Sequence, residues 1–172
     1  MAFKEIPVEE CGINPFTDLK SYCIVTAGDV KKCNSLVVTW GMFGVMWRKP
    51  VASIFIRQSR FTKTILDSQD HFTLSFLPQE LKPAMIYLGS HSGKNEDKYK
   101  NSGLTPADFS GAAGIGEARL VLVCRKLYTH EMGQAFYTDK ETYTAWNSGR
   151  RANNNHSIFM GEIEHVYVKE SY

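Results

Sequence analysis

Cationic and hydroxyl side chains crowd into Arg57-Gln58-Ser59-Arg60-Phe61-Thr62-Lys63-Thr64, where an apolar run ends and a helical pattern begins. Two guanidinium groups, several hydroxyls and the free N–H groups of a helix start would converge there on one small volume. A phosphate dianion gains from such a place, through bidentate arginine contacts and the positive end of the helix dipole. The same residues also describe a helix capped by Ser59 or Thr62 beside solvated arginines, and spacing alone leaves both readings open.

A second segment, Asn34 to Trp47, runs from a polar start through Thr39-Trp40-Gly41-Met42-Phe43-Gly44 to Met46-Trp47. A planar heterocycle could lie against its apolar end, with Gly41 and Gly44 permitting close backbone approach; an aromatic loop packed into the core or a dimer interface accounts for the same residues. His156 follows the polar run Arg150 to Asn155 and opens an apolar strand, so it could meet a ligand or be a hydrogen-bonded rim residue. The four cysteines (Cys11, Cys23, Cys33 and Cys124) lack metal or redox spacing, and the five histidines fall in different segments. Reduced, mostly structural thiols and no zinc site are expected. Gly111-Ala112-Ala113-Gly114-Ile115-Gly116 precedes a strand and no helix follows it, so neither dinucleotide nor P-loop context is met. No nucleophile elbow is present either.

These residues need elements to hold them. Tyr22–Ala27 and Ser35–Trp40 read as antiparallel strands joined by a polar loop over 28–34. Further strands are expected at Val51–Ile56 and His71–Leu77, with a short helix over Thr62–Asp70 between them. A helix after Pro78 places Leu81, Met85 and Leu88 on one face, starting late or bending because of Pro83. Residues 89–118, rich in Gly and Pro, read as a functional loop without clear strands. Arg119–Tyr128 is apolar on both faces, as a central strand would be. Thr138-Asp139-Lys140-Glu141 predicts a capped short helix bearing Tyr143 and Trp146. The final strand, Ser157–Lys169, changes parity near Glu164-His165, which predicts a bulge. Six or seven strands with few helices make a mainly β, closed or nearly closed barrel.

The chain has 172 residues, with 20 Lys+Arg against 18 Asp+Glu and a formal net charge of +2. That suits a single globular domain over residues 1–172 with an apolar core. Basic residues are interleaved with acids, so nucleic acid is not an expected partner. No long apolar run or basic-then-apolar leader is visible, which predicts a cytoplasmic protein that does not span a membrane.

Taken in order, Asn34 to Trp40, Pro50-Val51, Arg57-x-Ser59-Arg60-x-Thr62, Phe72 to Phe76, Ser92-Gly93 with Asp97-Lys98-Tyr99, and His156 to Ile163 resemble the flavin reductase-like family. The similarity spans about residues 14–169 and is nearest to flavoredoxin-type members. The resemblance implies an FMN-binding split β-barrel, Greek-key-like, that forms a homodimer. It implies that Arg57, Ser59, Arg60 and Thr62 hold the FMN phosphate and that Asn34 and Ser35 reach the ribityl or phosphate end. Thr39, Trp40, Gly41 and Met42 would border the isoalloxazine; Lys98 would add phosphate charge, and His156 would meet the ring edge or an incoming reductant. Two departures, Asn154-Asn155 before His156 and the inserted helix with Tyr143 and Trp146, border the expected reductant approach.

The implied activity is an oxidoreductase that transfers electrons through FMN, from NADH or NADPH to flavin or between protein partners, with no acid–base residue required. The alternative is a non-catalytic barrel binding FMN or another nucleotide-like ligand.

Overall fold

The computed structural model describes residues 2–170; Met1, Ser171 and Tyr172, at the ends of the expected 1–172 domain, lie outside the described residues. Apolar runs drive eight of the strands into one antiparallel sheet. In chain order its strands are β1 (Phe3–Ile6), β2 (Cys23–Asp29), β3 (Lys32–Val38), β4 (Gly41–Met46), β5 (Lys49–Arg57) and β6 (His71–Phe76). A separate hairpin pairs β7 (Pro106–Phe109) with β8 (Ala112–Ile115), and the long strands β9 (Leu120–Glu131) and β10 (His156–Lys169) complete the set. The sheet order is β3-β2-β6-β9-β10-β5-β4, with β1 on the far half of β10. Its two ends, β3 and β4, are not hydrogen-bonded to each other, so the barrel is split.

β9 sits at the middle of that order, and its residues alternate between two cores. Leu120, Leu122 and Cys124 face the barrel interior with Val25, Ile54, Phe72, Leu74 and Phe159. Val121 and Val123 face a second core built from Met85, Leu88, Phe109 and Ile115. A strand buried on both sides must be apolar throughout, as Leu120 to Cys124 are.

Short helices close the rims: α1 (Pro15–Asp18), α2 (Phe61–Ser68), α3 (Lys82–Ser90), α4 (Lys98–Ser102) and α5 (Lys140–Asn147). α3 begins only at Lys82, after a 3-10 turn over Gln79–Leu81, so the helix starts late as expected and Pro83 falls in its first turn, where its missing N–H costs nothing. Asp139, rather than Thr138, caps α5, accepting from the N–H groups of Glu141 and Thr142 at 3.0 and 3.3 Å.

Several elements differ from the sequence-based expectation. The loop expected over 28–34 contracts to a tight turn, because Asp29 accepts from Lys31 N and Lys32 N, both at 2.8 Å. Asn34 and Ser35 are consequently strand residues facing opposite ways. Gly41–Met46, read as the apolar end of a segment that could meet a planar heterocycle or pack as an aromatic loop, is an edge strand paired with β5. The supposed loop over 89–118 contains α4 and the β7–β8 hairpin, whose turn holds Ser110 and Gly111 at φ of 51° and 86°. Runs of Ala and Gly carry little strand signal, so this hairpin had no visible periodicity. The last strand has the expected irregularity between Ile163 and His165, and a second between Met160 and Gly161.

Candidate functional site

The site lies where β5 hands over to α2. Arg57 is the last residue of β5, paired in register with His156 on β10. Arg60 N donates to Arg57 O at 3.1 Å, closing a turn, and Arg60 then serves as N-cap of α2 in an extended conformation. No side chain caps this helix. Lys63 N is engaged on Arg60 O at 2.9 Å, which leaves the N–H groups of Phe61 and Thr62 available to a ligand, with the helix dipole behind them.

A cavity of about 150 Å³ sits over that turn, lined by Asn34, Ser59, Arg60, Thr62, the 90–93 segment and Lys98. Lys98 is only 3% exposed. Its Nζ spends one donor on Ser35 O at 2.7 Å, leaving two. Arg60 Nη2 spends one on Gly89 O at 2.9 Å. Among the described residues neither cation is held by a carboxylate, and burial followed by the nearby Arg60 charge pulls the Lys98 amine down to about 8, with Glu96 pulling the other way. A buried and a half-buried cation facing one small polar space are stabilised by an anion placed between them. Asn34 Nδ2 donates to Thr62 Oγ1 at 2.7 Å and fixes the cavity floor. The backbone at Gly93 passes so close that a Cβ there would lie 2.0 Å from Asn34 Oδ1.

This small cavity shares Leu36, Arg60 and Ser90 with a larger one of about 490 Å³. The larger space is walled by β3 and its continuation through Thr39 and Trp40, by Phe55 to Arg57, and by Met85, Ile86 and Gly89 of α3, with His156 at its rim. It is an apolar groove ending in a cationic cup. His156 is 8% exposed, and burial together with Arg57 and Arg151 lowers its pKa to about 4, so the ring is neutral at pH 7. A neutral imidazole offers one donor and one acceptor.

The anticipated residues divide by this geometry. Asn34, Ser59, Arg60, Thr62 and Lys98 surround the small cavity, whereas Thr39, Trp40, Arg57 and His156 line the larger one. Ser35 lines neither: its hydroxyl bonds Thr26 Oγ1 and Tyr99 OH, both at 2.7 Å, while its carbonyl holds Lys98. Gly41 packs toward Leu19 and Ser53 O, and Met42 is 52% exposed, so neither reaches these cavities. Arg57 points away from the cup, donating to Asn154 O at 2.7 Å and Trp146 O at 2.9 Å. Ser59 is likewise tied to Asn154, whose Nδ2 donates to Ser59 Oγ at 2.9 Å and whose Oδ1 accepts from Ser59 N at 3.0 Å. Sequence reasoning assigned no contact to Phe55, to the α3 wall, or to Ser90 through Gly93, although Ser92-Gly93 belongs to the ordered set that carried the resemblance.

Together these elements make a split antiparallel barrel whose apolar groove runs into a small cavity lined by Arg60 and Lys98. The sequence over residues 20–172 matches the family described as Flavin reductase like domain, and the chain belongs to that family. Among solved structures, an FMN-binding protein from Thermus thermophilus with bound p-hydroxybenzaldehyde is similar at 22% identity, covering 87% of this chain and 72% of that one, with a TM-score of 0.67. A flavoredoxin from Methanosarcina acetivorans is similar at 21% identity over 88% and 69%, TM-score 0.68. The NADH:FAD oxidoreductase of Streptomyces globisporus C-1027 is similar at 18% identity over 86% and 74%, TM-score 0.64. At these identities the likeness is one of fold. No curated protein sequence matches the chain.

Proposed function

We propose that the protein is an FMN-binding oxidoreductase of the flavin reductase type. The observation that carries this reading is the pair Arg60 and Lys98, both free of carboxylates among the described residues, facing an uncapped helix start at the closed end of an apolar groove. The donors fit a terminal phosphate, and the groove fits a flat heterocycle bordered by Trp40 and His156. When bound, flavin would supply the redox chemistry. The chain's residues then bind and orient: Arg60, Lys98, Ser59 and Thr62 hold the phosphate, Asn34 braces Thr62, and the neutral His156 presents a hydrogen-bonding nitrogen at the rim. Arg57 acts at one remove, anchoring the segment that carries Trp146. NADH or NADPH is the proposed visiting reductant, and a homodimer the proposed assembly, on the family resemblance.

The test is a titration of purified protein with FMN and with riboflavin, followed by visible absorbance. FMN should bind, and riboflavin, lacking the phosphate, should bind about tenfold or more weakly, the effect of losing one or more charge-assisted hydrogen bonds. Arg60→Ala should erase most of that preference. Equal affinities in the wild-type chain would remove the phosphate assignment. Anaerobic mixing of the flavin-loaded protein with NADH and NADPH separates a reductase, whose flavin bleaches, from a binding module, whose flavin stays oxidised.

A further inference from the structure

Beyond the groove lies a second cavity of about 420 Å³ that the flavin reading does not use. Its walls are Trp40, Phe55, Met132, Tyr137 and Trp146, and Thr142, Asn147 and His156 complete the lining. Trp40, Phe55 and His156 belong to both spaces, so an occupant of the second would press against the wall of the first. We propose that this cavity binds a small, uncharged aromatic molecule carrying one hydrogen-bonding group. The binding claim stands on the cavity alone; its use as a substrate site beside the cofactor rests on the flavin reading above.

The cavity is already built. Its outer wall is the segment over 132–151, folded as a short turn, α5 and a second turn. Arg57 ties that wall to the barrel through Trp146 O, and Trp40 meets Trp146 edge to face at 4.8 Å between ring centroids. Tyr137 packs against Tyr143 at 5.0 Å. Aromatic walls fixed in this way favour a flat guest, by edge and face contacts with its ring. The volume falls within the range of about 300–1,000 Å³ usual for small-molecule sites.

Charge selects against other guests. Among the described residues no Asp, Glu, Lys or Arg lines the cavity. The two guanidiniums that act on His156 are engaged elsewhere, Arg57 on Asn154 O and Trp146 O with Asn147 Oδ1 at 3.5 Å, and Arg151 over the Trp146 ring at 5.4 Å. The His156 ring is neutral, and among the described residues its nitrogens hold no hydrogen bond. A dinucleotide would bring a diphosphate with no cation here to receive it, and a carboxylate guest would lose its hydration without a partner. An uncharged ring with one carbonyl or hydroxyl loses little water and finds the imidazole.

The probe pair is p-methoxybenzaldehyde and p-methoxybenzoate, matched in shape and differing in charge. Calorimetric titration of flavin-free and FMN-saturated protein should show the aldehyde binding in both states and the acid about tenfold or more weakly. Thr142 is exposed on α5, so Thr142→Trp fills the cavity without burying a new group in the core. This variant should lose the aldehyde while keeping wild-type FMN affinity and unfolding temperature; Thr142→Val should bind the aldehyde within about twofold of wild type, since the cavity stays open. No aldehyde binding at millimolar concentration, binding unchanged in Thr142→Trp, or preference for the acid would overturn the proposal. So would dissociation of a dimer by Thr142→Trp, which would assign the cavity to a second copy of the chain. Aldehyde binding in a protein that takes up no FMN would instead keep this site and defeat the flavin reading.

Discussion

Lys98 shows how burial turns an ordinary amine into a conditional ligand. Folding places it against Ser35 O, beside Arg60 and within the field of Glu96, where its pKa is about 8. The free site is therefore cationic at Lys98 below about pH 8 and neutral there above it. A bound phosphate favours the charged form, so FMN binding near pH 8 to 9 should take up a proton, and affinity should fall as pH rises through that window. Over about pH 7 to 10 the phosphate itself stays dianionic, its second pKa lying near 6. The expected loss is on the order of tenfold, appearing for FMN but not for riboflavin; Lys98→Met should lower FMN affinity and flatten the profile. A profile equally steep in Lys98→Met would assign the titration elsewhere. At this scale the sequence was informative about residue type but silent about allocation. The cluster from Arg57 to Thr62 announced cations near a helix start, and the structure brings Ser59, Arg60 and Thr62 to the cup. Arg57 goes to carbonyls of a segment some ninety residues later, a contact no local spacing encodes.

Elements were legible in proportion to their periodicity. β9 was visible as a doubly buried strand because both of its faces are apolar, and one irregularity of β10 was visible as a change of parity. The other, at Met160/Gly161, left no mark in the apolar pattern. A Cβ on Gly161 would stand 2.8 Å from Phe72 Cε1 and 2.9 Å from Cys124 Cβ, both fully buried groups with nowhere to retreat. Gly161→Ala should therefore destabilise the fold by about 1–3 kcal/mol through overpacking, read as a lower urea midpoint at unchanged slope. A midpoint equal to that of wild type would mean that β10 shifts freely to make room. β4 and the β7–β8 hairpin escaped detection because they are short and hold only two β-branched residues between them, Val45 and Ile115.

At the scale of the whole molecule, the barrel leaves apolar side chains uncovered at one edge. Val45 and Trp47 are 79% and 59% exposed at the tip of β4, with Met42 and Met46 on the same strand. Exposed apolar residues in such a group mark surfaces that pair with protein. The homodimer implied by the family resemblance should use this strand, so wild-type chain should sediment as a dimer and Val45→Glu as a monomer of unchanged fold. A dimer that survives the charge would place the interface elsewhere. No helix among the described residues is long and apolar enough to cross a membrane. The mainly β architecture and the family were open to the sequence because they rest on an ordered set of short motifs, whereas the aromatic side cavity was not. It needs Trp40, Phe55 and Trp146, from three separate segments, to meet in space.

β10 pairs with β9, β5 and β1 at once, and it alone joins the β4–β5 hairpin to the middle of the sheet. During synthesis, the first fifty-seven residues must wait for residues 156–169 to leave the ribosome before β5 gains its second neighbour. Chain growth at about 5–20 residues per second makes that wait several seconds long. Through that interval the edge of β5 that will receive β10 is open to any extended chain nearby, which makes the nascent protein a natural client for chaperones that shield strand edges.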